Sequence, residues 1–363
     1  MSRKKDGLGE KWKRIVFLIV FLSTGIAFQM QPSDDAGNNQ EPVSPFHALE
    51  VKDVVVHNNF SEQVGVDAVL EGMRGQSGIG LFRAEHRGLP RLERPQNREF
   101  NLESGQPFTP YLLLSNNTDQ PQTHLISAIV DYQQKPFALD GKEGVLHEIT
   151  VPVRKELEIP VSLPISGEGM HDVLFLQISD PYNKTLDVDQ RMNTFNDTFG
   201  TRAVIFVGEM ATPAHTLNYV TEGTLIPEGI TYNPPVHFAE ITSQAQKHPS
   251  ERQLYVAQAP PGATYSFQTR VANEGEKPVN YTFIPFLNYR QVSVDQKQVL
   301  PVRLEPNTEL IINVDLPVPE KEGIYLFELV YVYDSYHSLL EEDVLSPFIR
   351  SSERLAIEVA GSS

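Results

Sequence analysis

The chain is predicted to be all-β, folded as two tandem antiparallel β-sandwiches with one hydrophobic helix in front. Three observations predict this. A pattern of strand and turn residues occurs twice, between Ser104 and Tyr182 and between Pro261 and Tyr336. Short apolar runs alternate with turn clusters throughout both copies, as in sandwiches. The 27 prolines outnumber the 23 glycines, a content that suits turns and edge strands and opposes long helices.

The repeat is legible residue by residue. Gly105 to Asn116 aligns with Gly262 to Asn273. In the same register Pro121 meets Pro278, Tyr132 meets Tyr289 and Gln134 meets Gln291. Leu163-Pro164 then matches Leu316-Pro317, Gly169 matches Gly323, and Asp180-Pro-Tyr182 matches Asp334-Ser-Tyr336. The closing strands are Arg202 to Val207 and Arg354 to Val359.

At the N-terminus, residues 1–14 form a basic tail, with Arg3, Lys4, Lys5, Lys11, Lys13 and Arg14 against Asp6 and Glu10. Residues 15–30 follow as a signal-anchor helix or signal peptide. Its apolar run is Ile15, Val16, Phe17, Leu18, Ile19, Val20, Phe21 and Leu22, and Trp12 is the interfacial anchor. Basic residues in front of an apolar run keep the N-terminus in the cytoplasm and send the remainder across the membrane. Two outcomes stay open. Gly25 and Ala27 have the spacing of a signal-peptidase site, whereas Trp12 and Met30 favour an uncleaved single-pass anchor. Residues 31–45, polar and rich in Pro, Asp and Asn, predict a flexible linker.

The first sandwich is expected over residues 46–208. Its strands are Ala48–Val56, Ile79–Arg83, Phe108–Leu114, His124–Tyr132, Val145–Val153, Leu157–Leu163, Met170–Ser179 and Arg202–Val207. Residues 209–230 are the linker. The second sandwich, residues 231–360, opens with a strand inside Tyr232–Ile241 and continues with Ser266–Val271, Tyr281–Tyr289, Val299–Leu304, Glu309–Leu316 and Ile324–Tyr333. At the turn after Asn273, Gly275 is expected to supply a positive φ where the first copy has Thr118. Each sheet needs a second to cover its apolar face, because each large side chain buried contributes about 1.5–3 kcal/mol.

The turns and strands carried by Gly262, Asn273-Glu-Gly275, Gly323-Ile-Tyr325 and Asp334 resemble those of bacterial extracytoplasmic immunoglobulin-like domains of the CARDB type. Gly105, Asn116, Gly169 and Asp180 are their counterparts in the first copy. The resemblance implies immunoglobulin-like sandwiches serving as spacers, adhesion modules or appendages to enzymes. It implies a role for no individual residue.

Composition excludes several function classes. The net charge is −17, and the residues after the first 30 keep 24 basic against 45 acidic side chains. Such a surface repels phosphate backbones, so no nucleic-acid partner is expected. Without cysteine there is no disulfide, thiolate metal site or cysteine nucleophile. The ten histidines fall in no His-Glu-x-x-His pattern. Gly75-Gln-Ser77-Gly-Ile-Gly80 lacks the second glycine position of a nucleophile elbow. No catalytic residue and no cofactor are expected.

Three surfaces are left as candidates. Asp180, Asn183, Asp187 and Asp189 put oxygen ligands of the kind calcium uses on one loop. Their spacing is neither an EF-hand nor an RTX repeat, so the expectation is a solvated loop without metal. Tyr325, Tyr331, Tyr333 and Tyr336, with Tyr281 and Tyr289, make the second copy tyrosine-rich. Alternate tyrosines on a strand share one face, which either caps a sandwich edge or suits a glycan or protein partner. Arg74, Arg83, Arg87, Arg91, Arg94 and Arg98 form a basic cluster, read as a solvated loop with local ion pairs. The function expected is a non-catalytic, membrane-tethered adhesion, envelope-scaffold or assembly module. The alternatives are a carbohydrate- or substrate-binding accessory and, last, a secreted enzyme.

Overall fold

The structure is a computed structural model that describes residues 55–58, 77–89, 98–209, 212–230, 235–241, 248–337, 339 and 348–361. The apolar run 15–22, Trp12 and the linker 31–45 lie outside the described residues, as do Arg74, Arg91 and Arg94. Among the described residues no helix is long and apolar enough to cross a membrane.

Among the described residues the protein is all-β, and the strands make three sheets arranged as sandwiches. An outer six-stranded sheet runs in the order Ser77–Phe82, Tyr111–Asn116, Lys155–Ser162, Phe137–Leu139 and Lys142–Gly144, with Val55–Asn58 also on Lys155–Ser162. An outer four-stranded sheet holds Thr224–Leu225, Thr308–Pro317, Thr264–Asn273 and Val236–Ala239. Between them lies a thirteen-stranded sheet with strands from both copies of the repeat. Its first half centres on Gln122–Val130, Gly169–Ser179 and Thr198–Val207, and its second on Val279–Leu287, Gly323–Tyr333 and Leu355–Val359.

Alternation along each strand builds the cores. Leu112, Leu114, Ile126, Phe137, Phe175 and Ile205 meet in the first. Phe238, Phe267, Phe283, Phe327, Tyr331 and Ile357 meet in the second. Phe238, Phe267 and Phe327 form an aromatic triangle with centroids 5.4–5.5 Å apart. The matched glycines bear out their turn reading. Gly105 and Gly262 have φ of 82° and 69°, and Gly169 and Gly323 have 120° and 147°.

Three expectations change. Most strand pairs are antiparallel, but Glu99–Leu102 runs parallel to Thr198–Val207, and Val256–Ala259 parallel to Leu355–Val359. Gly275 is not among the residues with positive φ. The turn is instead held by asparagine, in both copies alike. Asn116 Oδ1 accepts from Thr118 N at 2.8 Å while Nδ2 donates to Gln120 O and Val151 O. Asn273 Oδ1 accepts from Gly275 N at 3.0 Å while Nδ2 donates to Lys277 O and Leu304 O. The Asx turn thus replaces the need for a left-handed residue. Finally, the segment read as a linker is tied down: Pro213 bridges Met170, Val220 bridges Val302, and Thr224–Leu225 adds an edge strand to Thr308–Pro317.

The two halves of the long sheet are joined by Phe348–Ser351, which pairs with Gly200–Thr201 of the first copy and Val330–Val332 of the second. A Cβ on Gly200 would lie 2.4 Å from Phe175 O and 2.7 Å from Ile349 Cδ1. A side chain there would run into the backbone of the neighbouring strand Gly169–Ser179 and into the Ile349 side chain of the crossing strand.

Candidate functional site

Gly169–Ser179 is buried at every position before Ser179, so it is covered on both faces. Its Val173 and Phe175 enter the first core, while Leu174 and Leu176 point the other way. There they meet Ile129 and Val204 of the same copy and Ile284, Phe286, Val330 and Val332 of the second. The halves of the chain therefore share a third apolar layer, a seam between the two repeats.

Polar groups matched by the repeat cross this seam in reciprocal pairs. Gln134 N donates to Gln291 Oε1 at 2.6 Å, and Gln291 N to Gln134 Oε1 at 3.0 Å. Gln134 Nε2 donates to Tyr289 O, and Gln291 Nε2 to Tyr132 O. Each terminal-strand arginine reaches the Asp corner of the other copy. Arg202 donates to Tyr333 O and Asp334 O; Arg354 donates to Ser179 O and Asp180 O. The seam has an approximate two-fold symmetry.

The charges that hold the arginines differ. Arg202 makes a two-pronged contact with Asp172, Nε to Oδ1 at 2.6 Å and Nη2 to Oδ2 at 2.7 Å, with both side chains fully buried. Tyr132 Oη and Tyr336 N also donate to Asp172. Arg354 shares Glu328 and Asp197 at 3.3 and 3.4 Å and lies over the Tyr289 ring. Burial, opposed by Arg354, pushes the Asp197 carboxyl up to about 6. Arg202 and Arg354 open the matched closing strands in the sequence, but no site role is read from them, from Asp172 or from Glu328. A charge in an otherwise apolar strand was the available signal.

At the edge of the seam each copy turns a tight hairpin with two left-handed residues, Asp131-Tyr132 (φ 49° and 65°) and Asn288-Tyr289 (φ 46° and 64°). Asp and Asn tolerate that geometry. Each tyrosine is held by its hydroxyl, Tyr132 on Asp172 and Tyr289 on Pro181 O. Beside the first hairpin His171, 1% exposed, places Nδ1 2.7 Å from Asp131 Oδ2 and Nε2 3.2 Å from Gly167 O. His215 of the tied-down segment lies 3.5 Å from the same carboxylate oxygen. A cavity of about 240 Å³, lined by Asp131, Gln133, Lys135, Ser166 and His215, opens onto this notch. These residues are far apart in sequence, and no spacing pattern joins them.

The residues proposed from sequence are placed otherwise. Tyr325, Tyr331 and Tyr333 do share a face, but it is the inner one. Tyr331 is buried in the second core, Tyr325 and Tyr333 pack against it, and Tyr336 is buried in the seam 5.5 Å from Tyr132. A strand's alternation says which side chains share a face, not which face meets water. On the acidic loop, Asp187 caps a one-turn helix, Val188–Arg191, through Gln190 N, and Asn183 Oδ1 accepts from Arg191. Among the described residues no group of three acidic or histidine side chains is placed to hold a metal. Arg83 and Arg87 lie over the rings of Phe100 and Tyr111.

No family model and no curated protein matches the chain. Among solved structures, the solution structure of a CARDB domain from Pyrococcus furiosus is 16% identical over 29% of this chain and 88% of its own, at a TM-score of 0.21. The crystal structure of that domain in complex with di-metal ions is 16% identical over 30% and 81%, at 0.21. The native form of Escherichia coli alpha-2-macroglobulin is 11% identical over 73% of this chain and 17% of its own, at 0.24. The chain has a weak CARDB-like resemblance. It brings no functional residue with it.

Proposed function

We propose that the chain is a non-catalytic, membrane-tethered, extracytoplasmic adhesion, envelope-scaffold or assembly module. In this reading its two immunoglobulin-like sandwiches act as one rigid body. The observation that carries it is the seam. Buried arginines and paired glutamines fix the angle between the two repeats, which a rigid strut needs and a flexible string of domains does not. The basic tail and apolar run of residues 1–22 support the tether, and the acidic surface supports a protein or glycan partner over a nucleic acid. A carbohydrate-binding role loses the tyrosine platform that suggested it, since those side chains face inward.

The test is photo-crosslinking of the full chain in its own cells from exposed positions such as Val188 and Met192, with protease added outside intact spheroplasts. Protein adducts and digestion of the bulk of the chain are expected. Adducts confined to cytoplasmic proteins, or substrate turnover by the purified chain, would overturn the reading.

A further inference from the structure

We propose that Asp131 and His171 form a proton-operated latch on the seam between the two repeats.

The geometry requires two protons on one buried ring. Both neighbours of His171, Asp131 Oδ2 and Gly167 O, are acceptors. An imidazole with one N–H satisfies one of them and turns a lone pair on the other. Only the imidazolium satisfies both. Although burial opposes its charge, the hydrogen bond and charge of Asp131, helped by Gly167 O, raise the His171 pKa above the ordinary imidazole value.

The second repeat supplies an internal control. Asn288 stands where the first has Asp131, Tyr325 where it has His171, and Lys321 where it has Gly167. Asn288 Oδ1 accepts from Leu326 N at 2.9 Å as Asp131 Oδ1 accepts from Asp172 N at 3.1 Å. Tyr325 Oη donates to Lys321 O at 2.8 Å. The same corner is thus built without any group that changes charge near neutrality. The fold does not need the ion pair, so the first copy's Asp–His version is free to serve something else.

Its position says what. The residue after Asp131 is Tyr132, which bonds Asp172, and Asp172 holds Arg202, which reaches into the second repeat. Tyr336 of the second repeat donates its N–H to Asp172 and has its hydroxyl beside Asp131. The other groups facing the pair are His215 on the tied-down segment and Lys135 at the rim of the cavity. That cavity gives solvent, and so protons, a route to Asp131.

The sign follows from the raised value. The folded chain holds the His171 proton more tightly than the unfolded one, so the latch is closed below the ordinary imidazole range. It opens as pH rises through the higher folded value. In the open form the ring keeps one N–H and turns a lone pair on either the carboxylate or Gly167 O, so one of its two contacts is lost, and the Met170–Asp172 and Asp334–Tyr336 contacts loosen together.

Asp131→Asn is the decisive variant. An asparagine amide can donate to His171 Nδ1 while His171 Nε2–H donates to Gly167 O, so the latch closes without the proton. Hydrogen exchange of the full chain in detergent, corrected for the intrinsic pH dependence, is to be read at residues 170–172 and 334–336 between pH 6 and 9. The wild type should exchange at least about threefold faster at the high end, and Asp131→Asn should be flat and slow throughout. The His171 ring resonance, followed by pH titration, should show a midpoint above that of a free imidazole in the wild type. Flat exchange in the wild type, a variant that follows the wild type, or an ordinary ring midpoint would each overturn the proposal. If Asp131→Asn does not fold, the ring midpoint in the wild type still decides.

Discussion

At the hairpin after Gln122–Val130, a buried imidazole spans a carboxylate and a carbonyl; at the hairpin after Val279–Leu287, a phenol makes the equivalent backbone contact beside a neutral amide. The same contrast recurs deeper in the seam. Arg202 is held by two bonds to one carboxylate, whereas Arg354 is divided among Glu328, Asp197, Thr198 and a ring. Two copies of one pattern have kept the backbone and distributed charge unequally. What is equal between them reports what the fold requires. What is unequal marks the first copy as the one sensitive to protons and to loss of a single ion pair.

The largest effect should come from that ion pair. Arg202→Met leaves Asp172 charged and buried, and should lower the unfolding free energy by about 3–5 kcal/mol in urea titrations. Arg354→Met should cost less, because Glu328 contacts it through one oxygen at 3.3 Å. Equal losses would remove the asymmetry.

Next is His124, fully buried, with its pKa pushed down to about 4 by burial. Its repeat counterpart is Tyr281, which donates to Ala272 O. The unfolded chain takes up this proton near pH 6.5 and the folded chain only near 4. Stability is therefore lost as pH falls across that window, on the order of 3 kcal/mol. His124→Gln should remove that part of the slope, measured as the change in urea midpoint between pH 7 and 4.5. An unchanged slope would contradict it.

Smaller and symmetric losses test the shared part. Asn116→Ala and Asn273→Ala each remove an Asx turn and its strand contacts, and should cost about 1–2 kcal/mol apiece. Thermal unfolding should rank them together; a difference above about 1 kcal/mol would mean the turns are not equivalent. Gln134→Ala and Gln291→Ala should each lose still less, with a coupling of about 0.5–1 kcal/mol in a double-mutant cycle. No coupling would show that the reciprocal bonds act independently.

Much of the fold was legible. Val145–Val153, Met170–Ser179 and Ile324–Tyr333 contain or overlap the observed Leu146–Val151, Gly169–Ser179 and Gly323–Tyr333. The matched glycines carry the turn geometry expected of them. The seam is written into the same strands, but neither the repeat nor its turn chemistry points to it. A run such as Val173-Leu-Phe-Leu176 has no polar alternate, which means burial on both faces and hence another layer. A match between copies at Tyr132, Tyr289, Gln134 and Gln291 is what an individual sandwich would also demand, but in the structure these residues join the two copies. The Asp131–His171–His215 notch was illegible for a different reason. Its members come from a hairpin, a central strand and a tied-down segment, and only the register of strands that are distant in sequence brings them together.

The strand Phe348–Ser351 has a consequence for how the molecule is made. It pairs with Thr198–Val207, a strand some 150 residues upstream. Glu99–Leu102 covers the Val204–Val207 end of that margin early, but during synthesis its Gly200–Thr201 end must wait until nearly all of the second sandwich has emerged. An open strand margin recruits other chains, and contacts so distant in sequence form slowly. The earliest-made half of the protein therefore depends on the latest for its protection from aggregation. Nascent chains halted before residue 348 are the ones in which that exposure would persist.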